Sequence, residues 1–144
     1  FRLGENVLRP LIAIGNGSGL AGLRALLKAR IDAGTHDNWL LFGERNAAHD
    51  FLCQNELEAW RDSGALTRLD LAFSRDGSTA RYVQHLVTAQ ADLLRQWVRD
   101  GAAIYVCGSL QGMAGGVHDA LIDVLGAATV EAMMSDGRYR RDVY

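Results

Sequence analysis

Short apolar runs that end at a glycine recur along the chain, and they predict buried β-strands. Three such runs are residues 11–14, 39–42 and 103–107, which stop at Gly15, Gly43 and Gly108. A continuous apolar run indicates a strand that is covered on both faces, as the strands of a parallel sheet are. Two further strands are predicted at residues 66–73, where apolar residues recur at alternate positions, and at residues 139–143.

Between the runs, apolar residues recur at the three- and four-residue spacing of amphipathic helices. The helices predicted in this way cover residues 20–31, 49–62, 83–98, 113–124 and 129–134. Strands that alternate with helices predict an α/β fold, here a Rossmann-like, doubly wound, five-stranded parallel sheet with helices on both faces and right-handed crossovers. Residues 1–9 form a polar lead-in, and the folded domain is predicted to occupy residues 10–144.

Composition narrows the class of protein. The 144 residues are 49% hydrophobic and 22% charged, which is the balance of one globular domain. A net charge of −2 argues against a broad nucleic-acid-binding face, and no apolar run approaches the roughly 20 residues of a membrane span. Two cysteines are too few for a disulfide framework or a zinc cage, and they fit the reduced thiols of a cytoplasmic protein. The four histidines show no spacing suited to a metal, so no metal site is expected.

The first predicted strand runs into a glycine-rich turn that opens a helix. Glycine lets the backbone approach a phosphate, and the start of a helix offers free N–H groups and a positive dipole end. Residues 17–22 match the G-x-G-x-x-G pattern of dinucleotide-binding proteins, and Ser18 adds a hydroxyl donor. No Lys-Ser/Thr pair follows, so the turn is not a P-loop. The alternative is a tight turn that serves only packing.

The ends of the second and third strands carry charged and hydroxyl side chains. After the second strand, Glu44 is placed to hold a ribose 2′-hydroxyl, or else Arg45 contacts a phosphate and Glu44 is solvated. After the third strand, Ser74 and Arg75 suit a phosphate monoester. The plain alternative is a helix cap at Ser74 with a solvated Arg75.

Residues farther along the chain could contact the rest of a dinucleotide. Tyr82 could stack on a base, and Gln84 could read a polar edge of that base. Cys107 ends the fourth strand, where its usual role would be that of a small buried hydrophobe. Ser109 is a credible N-cap of the next helix. The terminal Tyr144 could cover a flat ring, or could simply be the end of a strand.

Three segments together carry a family resemblance that the glycine-rich turn alone would not. They are residues 69–76 with 82–84, residues 104–108 and residues 137–144. In this order they resemble the NADP-binding domain of the ferredoxin–NADP reductase superfamily, and within it the diflavin reductase branch, which includes the flavoprotein subunits of NADPH-sulfite reductases. The resemblance covers essentially the whole chain.

The resemblance implies where a bound cofactor would lie. The residues implied to contact NADP are Gly15, Gly17, Ser18, Gly19, Arg45, Ser74, Arg75, Arg81, Tyr82, Gln84, Gly108, Ser109 and Met113. Among these, Ser74 and Arg75 match the pair that holds the 2′-phosphate. Cys107 and Asp142 match residues near the hydride-transfer centre, and Tyr144 matches the aromatic residue that lies on the flavin ring.

The resemblance also implies that the chain works within a larger protein. NADPH would pass a hydride to FAD, which a preceding domain would hold, and electrons would go on to a downstream acceptor. Residues 1–9 would then be a connector from that FAD-binding domain. Alone, the chain would bind nucleotide without turnover. The parent is expected in the cytoplasm, either soluble or attached to the cytoplasmic face of a membrane, with no membrane insertion of this domain.

Four positions depart from the pattern of the family. The usual Ala-Pro of the glycine-rich turn is Ala21-Gly22 here, and the usual Cys-Gly-Asp ends in Ser109. A family lysine would fall at Ala80, next to Arg81, and no basic residue stands directly before Met113. These departures concern affinity and rate more than fold.

Two other functions fit parts of the sequence. An NAD-dependent dehydrogenase half would use Glu44 on the ribose, but it would not need the Ser74-Arg75 pair. A non-enzymatic module that senses dinucleotides would bind the same ligand without any flavin domain.

Overall fold

The fold was analysed in a computed structural model, which describes residues 2–44, 54–73, 82–108 and 115–143. The described strands are β1 (Leu11–Asn16), β2 (Asn38–Glu44), β3 (Arg68–Phe73), β4 (Ala103–Gly108) and β5 (Tyr139–Val143). The described α-helices are α1 (Leu20–Asp32), α2 (Gln54–Ser63), α3 (Val83–Ala89), α4 (Ala91–Arg99), α5 (Gly115–Leu125) and α6 (Ala127–Ser135). Two 3₁₀ turns, Gly4–Leu8 and Gly17–Gly19, precede β1 and α1.

The five strands form one parallel sheet in the order β3-β2-β1-β4-β5. The apolar strands β1, β2 and β4 occupy the centre, where both faces are covered, and β1 is buried from Leu11 to Gly15. The prediction of a doubly wound, five-stranded parallel sheet is confirmed.

Two apolar clusters cover the two faces of the sheet. On one face, α1 contributes Leu23 and Leu27 and α2 contributes Leu57, and these side chains pack with Tyr105 and Cys107 of β4. On the other face, helices α3 to α6 pack against alternate residues of the same strands. Burial of these apolar side chains is the main free-energy gain of the fold.

The prediction of one continuous helix over residues 83–98 is wrong, because the helix breaks at Gln90 between α3 and α4. The apolar spacing runs through the break: Val87 and Leu94, on either side, are both fully buried in the same cluster. The break involves neither glycine nor proline, so the sequence carried no signal for it.

The lead-in is not a free tail. Residues 4–8 form a 3₁₀ turn whose Asn6 side chain is buried in the domain. That these residues connect to an FAD-binding domain stays a prediction.

Candidate functional site

The candidate site lies where the strand order reverses direction. β1 is flanked by β2 and by β4, so the chain leaves the carboxyl ends of β1 and β4 toward opposite faces of the sheet. Open α/β sheets bind ligands in the crevice that this arrangement creates. Gly15 and Cys107 are register partners at this edge, and two of the predicted site residues are therefore neighbours.

The glycine-rich turn packs directly on the end of β4. A Cβ added at Gly15 would lie 2.8 Å from the carbonyl oxygen of Cys107, and one added at Gly19 would overlap the same carbonyl group. A Cβ at Gly22 would lie 3.4 Å from Cys107 Sγ. Gly15 and Gly19 therefore have a packing role, and Gly22 lies at contact distance from the thiol. That the turn also binds a nucleotide stays a prediction.

Gly17 differs from the other glycines of the turn. Its φ of 51° lies in the left-handed region, and a Cβ there would meet no described atom within 4 Å. The turn thus presents open backbone on its outer side and enters α1 directly after Gly19, where α1 has no side-chain cap among the described residues. Packing on β4 holds the inner side of the turn, and no described residue covers Gly17 on its outer side, at the helix start where an anion could bind.

Cys107 faces α1 and is only 4% exposed. Burial raises the pKa of its thiol, and the negative charge of Asp142, its register partner on β5, raises it further. The thiol is therefore neutral at ordinary pH and is not an activated nucleophile. Both residues lie at the site edge, Cys107 as a neutral sulfur atom and Asp142 as an exposed carboxylate.

The start of α3 reaches this edge because Gly43 has no side chain. A Cβ at Gly43 would lie 3.3 Å from Val83 Cβ, so a larger residue would push α3 away from β2. The next residue, Glu44, ends β2 and is half-buried. Its position fits either of the two interpretations offered for it.

Tyr82, directly before α3, keeps half of its side chain exposed. Its backbone N–H donates a hydrogen bond of 3.2 Å to His85 Nδ1, and the two rings meet edge to face at 5.5 Å. His85 therefore orients Tyr82 while leaving part of its ring open to a flat partner. The sequence signal for this contact is the position of His85, three residues after the residue that precedes the helix.

Gln84 points from α3 toward α5. Its Nε2 lies 3.0 Å from where a Cβ of Gly116 would be, so the side chain rests on the backbone of α5. Tyr82 and Gln84, which the sequence grouped together, are therefore in different surroundings.

The other predicted site residues fall outside the described part of the chain. They are Arg45, Ser74, Arg75, Arg81, Ser109, Met113 and Tyr144, together with the side chain of Ser18. Arg45, Ser74, Ser109 and Tyr144 directly follow the last residues of β2, β3, β4 and β5 in the sequence. Their assignment to the site stays a prediction.

Other regions of the described chain show no competing site. No group of three or more His, Cys, Asp or Glu residues could hold a metal ion within these ranges. His118 Nδ1 is engaged with the Tyr139 hydroxyl at 3.0 Å. A surface cavity of about 400 Å³ lies between the start of β1 and the end of α4, at the opposite end of the sheet, and contains none of the predicted site residues.

Among the described helices, none has the length and apolar character needed to cross a membrane.

Comparison with known proteins agrees with this geometry. Residues 13–119 match the family described as the oxidoreductase NAD-binding domain. Over its whole length the chain is 42% identical to the sulfite reductase (NADPH) flavoprotein alpha-component of Shewanella oneidensis and 43% identical to that of Vibrio cholerae. It is 35% identical to that of Bacillus subtilis. The chain spans about a quarter of the length of these relatives: 26% of the Shewanella protein, 25% of the Vibrio protein and 26% of the Bacillus protein.

Proposed function

Since the chain belongs to the oxidoreductase NAD-binding domain family, we propose that it is the NADPH-binding domain of a flavoprotein reductase and that it positions NADPH for hydride transfer to FAD. Its similar relatives are named as NADPH sulfite reductase flavoprotein components, 35–43% identical across the whole chain. These names support a flavoprotein reductase over an NAD-dependent dehydrogenase half.

The observation that carries the proposal is that the β1–α1 turn, which leads directly into α1, packs on the end of β4. The turn is fixed against the Cys107 carbonyl on its inner side, and Gly17 leaves its outer side open. The start of α1 supplies N–H groups and a positive dipole end at the same place.

The adenosine end would extend from this turn toward β2 and β3. Tyr82 would offer its half-exposed ring to the adenine or ribose, held by His85. Ser74 and Arg75, which follow β3, would hold the 2′-phosphate that distinguishes NADP from NAD. One charge-assisted contact of about 1.5–3 kcal/mol corresponds to roughly 10- to 150-fold preference for NADP.

The nicotinamide end would lie over the ends of β4 and β5. NADPH, when bound, supplies the hydride, and the protein supplies position and electrostatics. Cys107 would place an uncharged thiol against the nicotinamide ring, and Asp142 would place a negative charge beside that ring. Tyr144 would cover the flavin ring and would have to move before the nicotinamide could reach it.

FAD would be held mainly by another domain of the same polypeptide, and the final electron acceptor would lie beyond that domain. Because the relatives are named as sulfite reductase components, sulfite reduction is the first system to examine. A cytoplasmic location also stays a prediction.

Stopped-flow reduction of FAD in the natural polypeptide that contains this domain tests the proposal. We expect NADPH to bleach the flavin absorbance, and we expect deletion of Tyr144 to tighten NADP⁺ binding and to relax the discrimination between NADPH and NADH. A flavin that NADPH does not reduce would refute the proposal. Unaltered binding and discrimination after the deletion would remove only the role of Tyr144.

A further inference from the structure

Arg30, in the last turn of α1, is a buried charge far from the candidate site. It is 1% exposed and lies near the amino ends of β1 and β2. Burial lowers the pKa of its guanidinium, and the charge of Asp37 opposes that effect. The side chain is fixed mainly by neutral oxygens: its Nε donates to Asn38 Oδ1 at 2.6 Å, and the other described acceptors are backbone carbonyls.

Most of those carbonyls belong to the lead-in segment. Nη1 of Arg30 donates to the Val7 carbonyl at 3.1 Å, and Nη2 donates to the Arg9 carbonyl at 2.8 Å. Asn38 is held in turn by the carbonyls of Thr35 and Ala65, at 2.8 and 3.0 Å. A buried charge is tolerated when hydrogen bonds satisfy it, so the segment and Arg30 depend on each other.

Asn6 attaches the same segment to β4 and to the turn before β5. Its side chain is 3% exposed, and its Nδ2 donates to the Tyr105 hydroxyl at 3.0 Å and to the Gly137 carbonyl at 2.8 Å. The Tyr105 hydroxyl donates to the Arg2 carbonyl at 2.6 Å. We name residues 2–9 the entry strap, since they are bound to α1, to β4 and to the turn before β5.

We propose that Arg30, Asn6 and the Tyr105 hydroxyl are positioning residues. They fix the direction from which the preceding polypeptide enters this domain. In this way they hold the nicotinamide end of the site close enough to the flavin for hydride transfer. This inference rests on the proposed function, because it needs a flavin-binding domain that precedes the entry strap in the polypeptide.

The distance over which a flexible linker would let the two domains move explains why the entry strap is needed. If residues 2–9 were a flexible linker, their ends would fluctuate over about 15 Å. Hydride transfer needs reacting atoms about 3–3.5 Å apart, and a misplacement of about 1 Å can cost about 100-fold in rate. The strap removes the internal freedom of these eight residues.

Tyr105→Phe is the mildest test, because it deletes the hydroxyl and leaves the buried ring. Asn6→Ala is the second variant, and Val130→Ala, a buried truncation on α6 away from the strap, is the matched control. Each is placed in the natural polypeptide, well below its melting temperature. NADP⁺ affinity and the rate of FAD reduction by NADPH are measured separately.

We expect both strap variants to change NADP⁺ affinity by less than about twofold and to slow FAD reduction by about tenfold or more, whereas Val130→Ala changes neither. An unchanged reduction rate in the strap variants, or an equal loss in Val130→Ala, would overturn the positioning role and leave the proposed function intact. A parent protein that neither binds NADP⁺ nor reduces FAD would instead refute the proposed function.

Discussion

Gly19 lies against the carbonyl group of Cys107 so closely that a Cβ on this glycine would overlap the carbonyl oxygen and lie 2.8 Å from the carbonyl carbon. The contact joins the residue directly before α1 to the end of β4, at the crevice where the segments that follow β1 and β4 diverge. The φ of Gly19 is −64°, which any residue adopts, so glycine is required here by space and not by conformation.

Gly19→Ala is therefore expected to separate the turn from β4. Overpacking of this kind costs about 1–3 kcal/mol of unfolding free energy, and the displaced turn should bind NADP⁺ more weakly. Urea unfolding and calorimetric titration measure the two effects.

Gly115→Ala is the control for that substitution, because a Cβ there meets no described atom within 4 Å. It lies at the start of α5 and should be neutral or stabilising by up to about 1 kcal/mol. If Gly19→Ala and Gly115→Ala unfold at the same urea concentration, the close contact with Cys107 is not a constraint.

The raised pKa of the Cys107 thiol predicts that this thiol reacts slowly. Because burial and Asp142 both disfavour the thiolate, Cys107 should react with a disulfide reagent at pH 8 at least about tenfold more slowly than an unhindered cysteine. The measurement uses a Cys53→Ser background, so that one thiol remains. Denaturant should restore the ordinary rate; a fast reaction in the folded protein would show that the thiol is accessible and ionised.

The raised pKa of the Tyr139 hydroxyl predicts that the folded domain loses stability at high pH. Burial raises the pKa of its hydroxyl to about 12, from an ordinary value of about 10. The folded state therefore holds this proton more tightly than the unfolded chain does. Its contribution is fully present below about pH 10 and is lost as the pH rises toward 12.

Absorbance at alkaline pH can follow this ionisation directly. Tyr139 should titrate near pH 12, and Tyr139→Phe should remove that late step. A titration in which Tyr139→Phe removes an ordinary step near pH 10 would contradict the burial of this hydroxyl.

The sheet could be predicted because its signals are local. Strands such as β1 are covered on both faces and are therefore apolar throughout, and Gly15 marks the point where the backbone must approach β4. The family resemblance then predicted which strand ends carry the site.

The break at Gln90 and the entry strap depend on contacts that no local pattern reveals. Val87 and Leu94 face the same core on both sides of the break, so periodicity alone indicates one helix. Asn6 and Arg30 are polar residues that sequence patterns assign to solvent. Their burial follows from partners up to 131 positions away in the chain.

The central claim is that this domain binds NADPH through its 2′-phosphate at the carboxyl edge of the sheet. Calorimetric titration of the chain with NADP⁺ and with NAD⁺ tests it most directly, with Arg75→Ala as the variant and exposed Arg99→Ala on α4 as the control. We predict that NADP⁺ binds roughly 10- to 150-fold more tightly than NAD⁺, that Arg75→Ala abolishes most of this preference, and that Arg99→Ala preserves it. Equal affinity for the two nucleotides, or a preference that survives Arg75→Ala unchanged, would contradict the claim.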